Sequence, residues 1–79
     1  MHISKAIAKR IETLCKEKGI SVNRLATLSG VTQSTVDSIL KGKSRNPRVT
    51  TLMKISYGFG ITIVDFFDFP PLINAEYDE

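Results

Sequence analysis

Glycines at positions 19, 30, 42, 58 and 60 cut this chain into short stretches in which apolar residues recur every three or four positions. That spacing is the period of an α-helix, and no stretch holds a convincing strand-like alternation. Helices this short do not survive alone in water, so they must pack against one another. Ile3, Ile7, Ile11 and Leu14 line one face of a first helix over residues 3–18, and Ala6, Ala8 and Cys15 widen the stripe. Ser21 caps a second helix over 22–29 carrying Leu25, Ala26 and Leu28, and Thr32 caps a third over 33–41 carrying Val36, Ile39 and Leu40. Thr50 is the expected cap of a fourth helix, stopped by Gly58 or Gly60. Thr62 to Asp65 reads as a capping-box variant opening a fifth helix through Phe67, with Pro70 and Pro71 ending it. The expected fold is all-α: a compact five-helix domain over residues 1–68, then an acidic tail over 69–79.

With 79 residues there is room for one domain, and its 42% hydrophobic and 24% charged content is ordinary for a soluble one. No apolar run approaches the roughly 20 residues of a membrane helix, and the N-terminus lacks the apolar block of a signal peptide. The single cysteine, Cys15, has no partner for an internal disulfide. These features point to the cytoplasm and to no membrane partner.

Charge divides the chain. Residues 1–54 hold all eleven Lys and Arg and three acids (Glu12, Glu17, Asp37), a balance of +8, whereas residues 55–79 hold five acids and no base, a balance of −5. A basic body on a small domain is the footprint expected for a polyanionic partner, although a solvated charged surface has the same composition. The cations are also clustered. Lys41, Lys43, Arg45 and Arg48 fall in one acid-free run.

The second and third helices are joined by a tight turn, Ser29-Gly30-Val31-Thr32, which lets the third helix project and enter a DNA major groove. Several residues recur in register: Leu25-Ala26, Gly30-Val31-Thr32, Gln33-Ser34-Thr35-Val36, Gly42-Lys43, Asn46-Pro47, then Leu52, Ile55, Phe59, Gly60-Ile61 and Phe66-Phe67. On these residues the chain resembles the XRE-like helix-turn-helix family of the lambdoid phage repressors and Cro proteins, over about residues 3–68. The resemblance implies a lambda-repressor-like fold and a DNA-binding transcriptional regulator with no cofactor. Three positions depart from the family pattern. Val22 stands where the family usually has a phosphate-touching Gln, so that contact is not carried over. Cys15 and Leu40 occupy positions where the family often has an ion pair, and replacing both partners by apolar groups avoids a stranded charge. Gly58 sits where a better helix former is usual, at a cost of roughly 1 kcal/mol.

The expected base-reading residues are Gln33 and Ser34, with Thr35, Asp37 and Ser38 next in reach. A Gln can pair with adenine N6 and N7 at once, and the resemblance supports Gln-Ser as the reading pair. Phosphates are expected at Asn23, Thr32, Lys41, Lys43, Arg45 and Arg48, helped by the free amides that open the second and fourth helices. One such domain reads few base pairs, so a homodimer on a near-palindromic site of double-stranded DNA is expected. Phe66, Phe67, Phe69, Leu72 and Ile73 either form the dimer contact or close the core.

Catalysis has little support. His2 is a lone terminal histidine, the carboxylates do not cluster, and no metal spacing or phosphate-cradling loop is present. The rival from another class is an antitoxin-like module whose tail from Pro70 onward holds a protein partner. A restriction-modification controller, a phage repressor or Cro, and a chromosomal regulator all remain open.

Overall fold

A computed structural model describes residues 1–77. Six helices follow in order: α1 (Ile3–Lys18), α2 (Val22–Ser29), α3 (Gln33–Leu40), α4 (Val49–Phe59), α5 (Ile63–Phe67) and α6 (Pro70–Ile73). Among the described residues no strand forms, and no helix is long and apolar enough to cross a membrane. The five expected helices are all found.

On α1 the buried residues are Ala6, Ile7, Ile11, Leu14 and Cys15, spaced so that one stripe faces inward. They meet Leu25 and Ala26 from α2, Val36 and Ile39 from α3, Leu52, Ile55 and Phe59 from α4, and Phe66 from α5 in one continuous core. Cys15 is buried within it, and that burial pushes its thiol pKa upward by penalising the thiolate. Leu40 packs against the same cluster. The two positions where the resembled family often has an ion pair are therefore both apolar, Cys15 buried in the core and Leu40 half-buried against it.

Gly58 lies within α4 rather than ending it, and tertiary packing accounts for it. A Cβ built there would run into the Ser29 hydroxyl and stand only 3.0 Å from the Ser29 nitrogen and 3.1 Å from its Cα, tighter than nearly all such contacts. Only glycine lets the end of α2 sit against α4. The Ser29 hydroxyl is buried at this crossing without a hydrogen-bond partner among the described residues. Ser56, equally buried on α4, instead donates to the Leu52 carbonyl at 2.8 Å.

Three expectations are corrected. First, α4 starts at Val49, with Arg48 as its cap; the Arg48 carbonyl accepts from the Leu52 amide at 3.1 Å, which places Thr50 inside the first turn. Second, Pro70 and Pro71 open a helix. Proline suits a first turn because its missing N–H would have had no helical partner there, and the Phe69 carbonyl accepts from Leu72 and Ile73 at 2.8 and 3.0 Å. Third, the segment after 68 is not a free tail. Leu72 is buried, and Glu76 pairs with the other end of the chain through Ile3 N–H to Glu76 O (2.8 Å) and Glu76 N–H to Met1 O (3.0 Å). Asp78 and Glu79, the last acids of the expected tail, lie outside the described residues.

Arg10 ties this end of the fold together. Its Nε donates to the Phe66 carbonyl at 2.8 Å and its Nη2 to the Asp65 carbonyl at 2.7 Å, while the guanidinium lies 5.1 Å from the Phe69 ring centre. A cation at the carbonyl end of a helix is favourably placed, and here it also stacks on an aromatic face.

Candidate nucleic-acid interface

Local signals build the α2–α3 unit. Ser21 accepts from the Arg24 amide at 3.0 Å and starts α2. Gly30 closes that helix at φ 70°, a left-handed conformation that strains any side-chain-bearing residue, and Val31 N–H reaches back to the Ala26 carbonyl at 3.1 Å. Thr32 then accepts from the Thr35 amide at 3.2 Å and starts α3. Val36 and Ile39 fasten the inner face of α3 to the core, which leaves its first turn outward. Gln33 and Ser34 are exposed there; Thr35, Asp37 and Ser38 are half-buried along the next turn.

Thr32 and Thr35 share a hydroxyl–hydroxyl hydrogen bond of 2.8 Å in which either can donate. If Thr35 donates, the Thr32 proton is free for a phosphate oxygen. If Thr32 donates, it has nothing left to give. A phosphate at this helix start would select the first arrangement.

Beyond α3 the chain folds back on itself. The amides of Lys43 and Ser44 both donate to the Ser38 carbonyl, at 2.9 and 3.0 Å, so the loop is fastened to the last turn of α3. Lys41, Lys43, Arg45 and Arg48 are all exposed along it. Asp37 is the only acid between Glu17 and Asp65. Asn23 is exposed in the first turn of α2, and the start of α4 has no side-chain cap, which leaves its first amides open to an anion. Every sequence-predicted base or phosphate residue is thus exposed or half-buried, on α2, on α3 or its cap, or on the loop that follows. Val22 is half-buried against the core and offers no polar group where the family has glutamine.

The proposed dimer residues separate into two sets. Phe66 and Leu72 are buried in the chain's own core, and Phe69 is half-buried beneath Arg10, so these three close the fold rather than face a partner. Phe67 and Ile73 stay exposed. Val64, which the sequence reading left out of this group, is 74% exposed and lines a shallow apolar depression with Ile63 and Phe67. Its apolar type gave no hint of exposure, because a five-residue helix has too few positions to define a face.

Residues 10–71 match the family described as the Cro/C1-type HTH DNA-binding domain. The chain belongs to that family. It is a family of DNA-binding proteins, not of enzymes. The Cro/C1-type domain is 34% identical over 65 residues to the HTH-type transcriptional regulator PuuR of Escherichia coli (strain K12), a match covering 82% of this chain and 35% of PuuR. The chain thus spans about a third of that relative's length. Among solved structures it is similar to the prophage Lp1 protein 11, at TM-score 0.80 and 37% identity, covering 91% of this chain and 96% of that one. It is also similar to the restriction-modification controller protein C.AhdI from Aeromonas hydrophila, at TM-score 0.73 and 28% identity, covering 81% and 96%. The Cro/C1-type match takes in α2, α3 and the cationic loop. Residues 1–9 and 72–79 lie outside it.

Proposed function

We propose that the chain is a transcriptional regulator, a repressor of the phage or mobile-element kind, that acts in the cytoplasm as a dimer on a near-palindromic operator. The observation that carries this reading is the exposed polar first turn of α3 beside an acid-free run of four exposed cations, in a domain of the Cro/C1-type family. Gln33 and Ser34 read base edges, and Thr35, Asp37 and Ser38 touch those they can reach; an aspartate in a groove accepts from cytosine N4. Asn23, Thr32, Lys41, Lys43, Arg45 and Arg48 set the register on the phosphates. Dimer contact falls to the exposed apolar residues Val64, Phe67 and Ile73. The likeness to a prophage protein and to a restriction-modification controller, each covered over 96% of its own length, supports the phage or mobile-element kind. The antitoxin-like reading is not adopted, because the segment it needs as a partner-binding arm buries Leu72, packs Ala75 on the core and is fastened by its main chain at Glu76 to Met1 and Ile3.

Selection of bound sequences from a random duplex library, at two salt concentrations, tests this directly. Enriched duplexes are expected to carry two related half-sites about 34 Å apart, one helical turn. Affinity should fall steeply with salt, and Lys43→Gln or Arg45→Gln should each reduce the log–log slope by about one. A library that enriches nothing, or a flat salt response, contradicts the reading. Sedimentation of the chain as a monomer both free and on DNA removes the dimer alone.

A further inference from the structure

The start of α1, the loop after α3 and the C-terminal segment meet around a concavity of about 710 Å³ whose walls include Lys5, Gly42, Arg45, Glu76 and Tyr77. Gly42 and Arg45 belong to the loop proposed above to lie on phosphates, so on that reading this concavity adjoins the DNA-binding surface. Lys5 brings a further exposed cation, from a part of the chain outside the family match. Glu76 brings the opposite charge. Its main chain is fastened to both Met1 and Ile3, which holds this exposed residue at the rim.

We infer that the concavity is a further DNA-backbone subsite, which the chain's own carboxylate contests: Lys5 joins Arg45 on a phosphate of the duplex, and Glu76 competes for the same two cations. The inference rests on the DNA-binding reading and deepens it. The footprint then extends from the helix-turn-helix onto the first turn of α1, and the C-terminal segment acts as a brake on affinity. Phosphate prevails over one carboxylate because the duplex also releases condensed counterions, so the brake lowers affinity without abolishing it. Like any exposed charge effect, it weakens as salt rises.

The test measures affinity for a selected duplex across a salt series, using Lys5→Gln, Glu76→Gln, their double variant and Glu12→Gln. Glu12 is an exposed acid about 10 Å further along α1, roughly one Debye length away, and reports the effect of overall charge alone. Glutamine at 76 keeps the main-chain bonds, and circular dichroism checks that each variant stays folded. Lys5→Gln is expected to weaken binding about threefold to fivefold at low salt and to reduce the salt slope by about one. Glu76→Gln should tighten binding about twofold to fourfold, more than Glu12→Gln does, with the gain fading at high salt and shrinking in the Lys5→Gln background. An unchanged slope in Lys5→Gln, or a Glu76→Gln gain no larger than the control's, overturns the subsite while leaving the proposed function standing. A wild-type chain that binds no duplex overturns both.

Discussion

Replacing Phe66 by alanine is expected to cost about 3–5 kcal/mol of folding stability, the largest loss from any single truncation in this domain. Phe66 is fully buried, its ring meets Phe67 edge-on at a centroid distance of 5.6 Å, and its carbonyl is gripped by Arg10. It is the main anchor of α5, a helix of five residues that cannot hold itself together. A small domain has a total stability on the order of 5–15 kcal/mol, so the variant should be partly unfolded at ambient temperature. Urea titration followed by circular dichroism measures this, with Phe66→Leu as a milder control. A Phe66→Ala midpoint within about 1 kcal/mol of wild type would mean that α5 is not part of the core, given the ordinary cost of emptying such a site.

The second large effect concerns binding, not folding. Gln33→Ala should weaken binding to the selected operator by about 1–3 kcal/mol and relax preference at one base pair of each half-site. The side chain is exposed in the first turn of α3 and makes no hydrogen bond within the described residues, so its removal should leave the fold unaffected. The expected pattern is therefore an unchanged melting temperature together with a lost preference. A uniform loss of affinity over all sequences would instead assign Gln33 to the phosphates, and no loss would remove it from the interface.

Much of the fold is written in local chemistry. Gly19 and Gly30 end helices, Ser21, Thr32 and Thr62 start them with side-chain bonds to their own first turns, and the end of α1 and both bounds of α2 follow from those residues alone. Where the signal is not local, the reading goes astray. Arg48 starts α4 with its main chain only, so Thr50 looked the better cap. The two prolines looked like an ending because a proline marks a helix start as readily as a break, and the sequence around it does not say which. Gly58 and Arg10 owe their roles to partners 29 and 56 positions away along the chain, at Ser29 and Phe66. For the candidate site, the outward turn of α3 was legible because Val36 and Ile39 define its inner face. The neighbourhood of Lys5, Arg45 and Glu76 was not, since three distant segments create it.

Mapping the amide chemical-shift changes of the labelled chain on adding its selected duplex tests the central claim most directly. The account predicts that the largest changes cluster at residues 32–38, along the loop from Lys41 to Arg48 and at the starts of α2 and α4, with those of α5 and α6 small once dimer formation is saturated. Changes centred on the Val64, Phe67 and Ile73 face, with the first turn of α3 undisturbed, would contradict it.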